Sequence, residues 1–389
     1  MTTTRKVLTD VDQGIWVDDW QIDAASGPVL AGAKDWSIRK RTLRGGLSDG
    51  LDVVELKNGE LSMSVLPTRG MGLWRGEFRG IPIEWKSPVV RPVHPMFVNL
   101  KDRNGLGWLN GFNELMCRCG LAFNGPPGTD GGTDVTLHGK IANLAAHFVA
   151  VEVDDSGDGA LSLEGCVDET TMFGPAMRLT TKLSTSAGSH ALTIRDRVTN
   201  LGAQPTDLEL LYHTNIGRPF LGAGSRLVAA IAEVAPRDAH SANGAANFES
   251  YPGPITGCRE EAFFFELLGD ADDRTTVLLV NQAGDRGFSL SYSTRELPCF
   301  TVWKNPQAEA DGYVTGLEPG TNFPNFRSFE REQGRVISLP PGATYEASFE
   351  LRVYDSAADL VVAERAIRAL QTREPVRHAE PIAKWSAIG

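Results

Sequence analysis

Hydrophobic and polar side chains alternate along much of this chain with a period of two, which is typical of strands that bury one face. The longest example covers residues 344–353, where apolar side chains alternate with polar ones directly after the turn residues 340–342. Earlier in the chain, Leu61, Met63 and Val65 alternate with serines in the same way. Both segments therefore predict half-buried strands.

Shorter runs of the same kind recur along the chain, separated by Gly, Pro and Asn. They lie at 161–167, 177–183, 192–198, 208–213, 277–280, 288–292 and 300–304. A helical period occurs near the C-terminus, where Leu360, Ala363, Ile367 and Leu370 recur at three- and four-residue steps. Many short strands with Gly and Pro turns favour an all-β sandwich or barrel.

The same patterns divide the chain into three parts. Residues 1–45 are a mixed leader whose tryptophans could pack onto the main body. Residues 46–355 form the β-domain, and residues 356–389 form a C-terminal helix and tail. The chain has no alternation of strands with helices and no glycine-rich phosphate-binding motif, which argues against nucleotide chemistry.

Composition narrows the class of protein further. The chain has 389 residues, a net charge of −11 at pH 7 and no long Lys/Arg run, so nucleic acid and anionic membranes are not expected partners. Its five cysteines are an odd, sparse set, which argues against a disulfide framework. The chain has no apolar signal region and no apolar run of ~20 residues, so we expect a soluble cytoplasmic protein.

Residues 105–134 are the least regular part of the chain. They are rich in Gly and contain the pair Pro126-Pro127. This composition predicts a long structured loop, and loops of this length in compact domains usually carry function. Cys117 and Cys119 lie within it, one residue apart, which is too close for the usual zinc knuckle.

Three residues stand out as candidates for acid–base chemistry. Glu318 lies where a predicted strand gives way to a loop, and Pro319 favours extended geometry for it. His138 and His213 each end an apolar, strand-like run. Each residue also has a simpler interpretation, because an isolated Glu often caps a turn and an isolated His is often structural. The hypothesis is that all three meet at one site.

Other polar or aromatic residues at strand ends and in the irregular loop are candidates for binding a substrate. They are Arg69, Glu114, Arg118, Trp303 and Lys304. Two alternatives stay open here. Glu114 and Arg118 could form a buried ion pair that holds the loop, and Lys304 could be a surface lysine beside a packing tryptophan.

Four segments, taken in chain order, resemble a known family. They are 66–71 (LPTRGM), 113–121 (NELMCRCGL), 316–322 (GLEPGTN) and 339–345 (LPPGATY). Together with the two histidines, they resemble the aldose 1-epimerase (galactose mutarotase) superfamily, and more closely its DUF4432 branch. The resemblance covers residues 50 to 355.

The resemblance implies a β-supersandwich of two large antiparallel sheets that binds sugars and interconverts their anomers without metal or organic cofactor. Glu318 matches the base that takes the proton from the anomeric hydroxyl, and His213 matches the acid that protonates the ring oxygen. His138 matches the second, sugar-binding histidine, and Arg118 matches the sugar-binding arginine. The chain departs from the family pattern around His213, and it offers no obvious match to the family's sugar-gripping aspartate.

The strand where that aspartate is expected carries Trp303 and Lys304 instead. A lysine there would favour an acidic or keto sugar. Three hypotheses follow: an aldose 1-epimerase-like isomerase, a metal-dependent sugar isomerase or lyase with His138, His213 and a carboxylate as ligands, and a non-catalytic carbohydrate-binding protein. The sequence gives no oligomeric state.

Overall fold

The computed structural model describes residues 3–387, so the outermost residues of the predicted leader and tail lie outside the described part. Within it the chain folds into two large, mostly antiparallel sheets and one short hairpin. This confirms the prediction of an all-β supersandwich with a few short helices. In these residues no helix is long and apolar enough to cross a membrane.

The strands are numerous, as the turn-rich sequence predicts, and range from two to eleven residues in length. In chain order they are β1 (Thr3–Asp10), β2 (Ile15–Trp16), β3 (Trp20–Asp23), β4 (Ser37–Thr42), β5 (Asp52–Lys57), β6 (Leu61–Leu66), β7 (Gly72–Phe78), β8 (Ile81–Ile83), β9 (Met116–Leu121), β10 (Gly128–Asp130), β11 (Thr133–Val135), β12 (Phe148–Asp154) and β13 (Ala160–Thr170). The second half contains β14 (Ala176–Ser186), β15 (Ala191–Asn200), β16 (Thr206–Ile216), β17 (Arg226–Val228), β18 (Ile231–Pro236), β19 (Glu261–Leu267), β20 (Arg274–Val280), β21 (Gly287–Ser293), β22 (Cys299–Asn305), β23 (Val314–Gly320), β24 (Ile337–Leu339), β25 (Thr344–Tyr354) and β26 (Val376–Arg377).

Helices are few. The α-helices are α1 (Asp102–Gly105), α2 (Arg327–Glu332) and α3 (Ala357–Ala369), and 3-10 turns lie at Gly46–Ser48, Pro95–Phe97, Gly107–Gly111, Ile141–Asn143, Ser241–Asn247 and Glu309–Asp311. Helix α3 is the segment that the helical period predicts. Its Leu360 and Ile367 pack on Leu278 and Val280 of β20.

The two sheets differ in size and in their order of strands. The ten-stranded sheet runs β17-β20-β21-β25-β15-β14-β13-β12-β1-β2. The fourteen-stranded sheet runs β26-β18-β19-β22-β23-β16-β9-β7-β6-β5-β4-β3, with β8 beside β7 and β24 beside β16. The inward-facing apolar residues of both sheets form one core cluster, as alternation along each strand requires.

The first part of the chain is more closely integrated than a leader that packs on the outside. Strands β1 and β2 extend the ten-stranded sheet, whereas β3 and β4 form the edge of the fourteen-stranded sheet. Residues 3–42 therefore contribute hydrogen-bonded strands to both layers.

The segment 105–134 also differs from the predicted loop. Its middle forms β9, which pairs with β16 and β7 inside the fourteen-stranded sheet. The alternation of β9 is disguised, because Arg118 faces the core between the sheets while Cys117 and Cys119 face a separate apolar cluster on the other side. Because a charged residue occupies an inner position, the apolar alternation that would predict a strand is missing here.

Candidate active site

Four neighbouring strands of the fourteen-stranded sheet present one row of side chains on the face opposite the core. Thr301 of β22 is paired with Glu318 of β23, and His213 of β16 is paired with Cys117 of β9. The flanking pairs between β16 and β23 show that His213 lies opposite Glu318. The register of the sheet thus brings together residues that are far apart in the sequence.

His213 and Glu318 are in direct contact. His213 Nε2 lies 3.2 Å from Glu318 Oε1, and both side chains are almost fully buried. Gly316 provides the space for this contact, because a Cβ at that position would lie 2.3 Å from Glu318 Oε1 and 3.2 Å from His213 Cε1. A glycine two residues before Glu318 is therefore part of the site's geometry.

His138 approaches the pair from the loop after β11. It adopts a left-handed backbone conformation with φ of 57°, which is uncommon for a residue with a side chain. Its Nδ1 lies 2.8 Å from the carbonyl oxygen of Asn124, so Nδ1 carries the proton in that hydrogen bond. The ring centroids of His138 and His213 are 5.6 Å apart. The second nitrogen of His138 is therefore left as a hydrogen-bond acceptor.

These residues lie in a cavity of about 450 Å³ with largely apolar walls. Its aromatic lining consists of Trp85, Trp108, Phe112, Phe264 and Trp303. The ring of Trp108 is 4.7 Å from that of His138, and the ring of Trp303 is 5.4 Å from that of His213. Aromatic faces around a few convergent polar groups are typical of small-molecule sites.

A second polar group lies in the wall of the same cavity. The indole nitrogen of Trp303 donates to Glu260 across 2.7 Å, and Arg237 Nη2 lies 3.3 Å from the same carboxylate. Arg237 follows β18 and Glu260 precedes β19, and these strands are antiparallel neighbours. The wall therefore offers a carboxylate and a guanidinium side by side.

Burial shifts the ionisation of all three central residues. Burial raises the pKa of the Glu318 carboxyl to about 8. It lowers the pKa of His213 to about 3, with a smaller contribution from neighbouring His138, and that of His138 to about 4. Between these pKa values the pair of His213 and Glu318 holds one proton and has no net charge.

Arg118 does not reach this cavity. It lies on the inner face of β9, where its guanidinium binds both carboxylate oxygens of Asp196, the carbonyl oxygens of Gly70 and Met71, and Thr181 Oγ1. Its side chain has no exposed surface. The structure therefore places Arg118 between the sheets, not beside a sugar.

Arg69 and Glu114 are buried as well, and they pair with each other. Arg69 Nε lies 2.5 Å from Glu114 Oε1, while its other nitrogens donate to the carbonyl oxygens of Val93 and Gly111. The pairing of Glu114 with Arg118 considered from the sequence is thus incorrect. Arg69 instead anchors the segment that leads to Trp108 and Phe112.

Neighbouring residues on β22 point in opposite directions. Trp303 lines the cavity, whereas Lys304 lies on the other face and donates to the carbonyl oxygens of Phe248 and Ser250. Burial lowers the pKa of Lys304 to about 8. Lys304 is therefore neither a cation at the cavity nor an exposed surface lysine.

Several residues of the site were not identified from the sequence. They are Thr301, Phe112, Arg237 and Glu260. The signal for the last two was weak but present, because each lies at the end of an apolar run that forms β18 or β19. Within residues 3–387, no group of three or more His, Cys, Asp or Glu side chains has the arrangement of a metal site.

Solved structures with this architecture define the class of fold. A galactose mutarotase-like protein from Clostridium acetobutylicum is 15% identical, covering 87% of this chain and 99% of its own, with a TM-score of 0.56. A galactose 1-epimerase from Lactobacillus acidophilus NCFM is 12% identical, covering 82% of this chain and 99% of its own, with a TM-score of 0.53. The fold is therefore that of the galactose mutarotases.

A much more similar structure comes from Klebsiella pneumoniae subsp. pneumoniae MGH 78578 and is described as a candidate aldose 1-epimerase. It is 36% identical over 98% of this chain and 99% of its own, with a TM-score of 0.94. Residues 48–353 match the family model described as a domain of unknown function, DUF4432, so the chain belongs to that family. Among curated proteins, none matches the chain.

Proposed function

We propose that this protein is an aldose 1-epimerase-like isomerase that interconverts the anomers of a sugar by acid–base opening of its ring. The observation that carries the proposal is the contact of 3.2 Å between His213 and Glu318 at the floor of an aromatic cavity. An acid and a base that share one proton are what the opening of a cyclic hemiacetal requires.

The proton movements balance within this pair. In the reactive arrangement the shared proton is on His213 Nε2 and Glu318 is a carboxylate. Glu318 takes the proton from the anomeric hydroxyl, His213 gives its proton to the ring oxygen, and the bond between C1 and that oxygen breaks. The open-chain aldehyde rotates about the C1–C2 bond, and the reverse transfers close the ring on the other face.

The raised pKa of Glu318 fits this cycle. After ring opening, Glu318 is a carboxylic acid and His213 is a neutral imidazole, which is the ionisation that burial favours at neutral pH. The site thus favours the proton arrangement of the open-chain intermediate. Before reaction, transfer of the shared proton from Glu318 to His213 over the 3.2 Å contact gives the reactive arrangement.

The surrounding residues have matching roles in holding a sugar. His138 offers an unprotonated nitrogen as acceptor for a hydroxyl, because its other nitrogen is bonded to Asn124. Trp303 and Trp108 supply flat apolar faces for the C–H side of a sugar ring. The paired Glu260 and Arg237 can accept from and donate to hydroxyl groups further from the anomeric carbon.

Anomer exchange measured by NMR tests the proposal. A panel of neutral sugars, uronic acids and keto-sugars is followed with wild type, Glu318→Gln and His213→Asn. We expect each variant to lose about 10²–10⁴-fold in exchange rate. The matched controls Glu164→Gln and His378→Asn alter residues outside the cavity and should retain the wild-type rate.

The other hypotheses are distinct outcomes of the same experiment. Sugar binding by wild type and Glu318→Gln alike, without accelerated exchange, would indicate a carbohydrate-binding protein. Elemental analysis that finds a stoichiometric metal lost in His138→Asn or His213→Asn would indicate a metal-dependent isomerase or lyase. Normal exchange in Glu318→Gln would remove Glu318 from the mechanism.

A further inference from the structure

Two buried polar atoms beside the candidate acid–base pair have no hydrogen-bond partner. They are Nδ1 of His213 and Oδ1 of Asn215. Both residues belong to β16 and are two positions apart, so their side chains lie on the same face of the strand. A donor and an acceptor that are both buried and unpaired are costly unless a small adjustment of the side chains lets them pair with each other.

The orientation of the Asn215 amide is fixed by its nitrogen. Nδ2 donates to the carbonyl oxygen of Glu114 at 3.0 Å and to that of His213 at 3.2 Å. Rotating the amide by half a turn would set its oxygen against both carbonyl oxygens. The amide oxygen must therefore point away from them, and Asn215 has no exposed surface through which water could reach it.

We propose that Asn215 is a positioning residue whose Oδ1 accepts the Nδ1 proton of His213 and thereby fixes the tautomer that presents Nε2 to Glu318. The effect of Asn215 on catalysis rests on the proposed function, whereas its effect on the tautomer of His213 does not. Only this tautomer leaves a lone pair on Nε2, which can receive the shared proton from Glu318. Burial lowers the pKa of His213, and the side chain of Asn215 acts in the opposite direction.

The same arrangement gives a role to residues that the sequence assigned to the substrate. The carbonyl oxygen of Glu114 that holds Asn215 also accepts from the indole nitrogen of Trp85 at 2.9 Å. The side chain of Glu114 is in turn fixed by Arg69. The motif containing Arg69 and the motif containing Glu114 therefore act on His213 through Asn215.

Nitrogen NMR of the imidazole rings tests the tautomer directly. In protein labelled with ¹⁵N at histidine, we expect His213 to show a protonated Nδ1 and an unprotonated Nε2 near pH 7, with the signal assigned by its loss in His213→Asn. In Asn215→Ala, the proton should move to Nε2 in part or in full. A wild-type signal with the proton on Nε2 would overturn the proposal, whatever the enzyme's activity.

Kinetics add a second readout with a matched control. Asn215→Ala should lower kcat about 10- to 100-fold, less than removal of the acid or base itself, with KM changed by no more than about twofold. Thr214→Val is the control, because Thr214 Oγ1 is also buried without a partner but lies on the opposite face of β16. An unchanged tautomer in Asn215→Ala, or a loss equal to that of Thr214→Val, would contradict the proposal.

The two proposals fail in different ways. If the protein does not accelerate anomer exchange but the NMR tautomer depends on Asn215, the positioning role stands and the proposed function fails. If exchange is fast and the tautomer is independent of Asn215, the proposed function stands and the positioning role fails. Should Asn215→Ala not fold, the wild-type NMR measurement alone still decides the tautomer.

Discussion

The two faces of strands β9 and β16 carry very different polar groups, although both faces are buried. On the inner face, Arg118, Asp196 and Tyr212 form a network in which every guanidinium N–H has an acceptor and the tyrosine hydroxyl donates to the carboxylate. On the outer face, Glu318 Oε1 lies 3.2 Å from His213 Nε2 without a fully formed hydrogen bond, and His213 Nδ1 has no hydrogen-bond partner in the structure. Burial alone therefore does not distinguish the polar residues of the inner face from those of the outer face.

What distinguishes them is how completely their hydrogen bonds are satisfied. A buried network with every bond made stabilises one arrangement of the core. A buried group with bonds unmade costs roughly 1–3 kcal/mol, and such groups in a native protein call for an explanation, of which catalysis is one. The inner face is thus structural, whereas the outer face carries the groups to which we assign proton exchange in the proposed function.

The largest expected effect comes from breaking the inner network. Arg118→Met should lower the free energy of unfolding by about 3–5 kcal/mol, because it leaves Asp196 buried without its partner. Urea denaturation measures the change. Arg178→Met breaks the half-exposed pair with Asp168 and should cost no more than about 1 kcal/mol. Equal losses in the two variants would contradict the contrast between the faces.

Removing the Glu318 carboxyl should have the opposite effect on stability at high pH: it should raise the free energy of unfolding. The pKa of Glu318 is raised above its unfolded value, so its stabilising contribution is full below about pH 4.5 and is lost as the pH rises towards 8. The side chain introduced by Glu318→Gln does not titrate. The free energy of unfolding of this variant minus that of wild type should therefore be about 1–3 kcal/mol larger at pH 8 than at pH 5. Parallel pH dependences in urea denaturation would contradict this.

The pH dependence of exchange sharpens the comparison further. Above about pH 8 the pair of His213 and Glu318 loses its single proton, so kcat/KM should fall about tenfold per pH unit. Because the pKa of His213 is lowered to about 3, no acid limb is expected between pH 5 and 7. A limb near pH 6.5 would instead indicate an ordinary histidine.

The smallest expected effect is that of replacing Lys304 of β22. Alternation along this strand places Trp303 and Lys304 on opposite faces of the sheet. Lys304→Met should leave the ratio of kcat/KM for neutral and acidic sugars within about twofold of wild type, since Lys304 lies on the face away from the cavity. Arg237→Met removes the cation that does line the cavity and should change that ratio more. Competition assays with paired neutral and acidic sugars measure both.

Much of the fold could be predicted from the sequence, because period-two alternation is a direct consequence of strand geometry. It was strongest where one face is purely apolar, as in β25 and β6. Strand β9 escaped prediction because Arg118 occupies an inner position. The acceptors that satisfy the Arg118 guanidinium come from residues distant in sequence, and a hydrophobicity pattern contains no information about them.

The candidate site was predicted in part. His138, His213 and Glu318 line one cavity, as the resemblance implies, and Trp303, a candidate from its place at a strand end, lines it as well. Arg69, Glu114, Arg118 and Lys304 do not, because a shift of one residue along a strand sends a side chain to the opposite face. Short motifs identify which residues belong together but do not show which way each one points.

The position of the candidate site within its sheet also bears on folding. Its row of side chains comes from β22, β23, β16 and β9, whose pairing joins chain segments from 116–121 to 314–320. Such long-range pairing forms slowly, and no local fragment contains the site. A partly folded chain therefore has no partial site, and the rate of recovery of activity during refolding should report completion of the whole fourteen-stranded sheet.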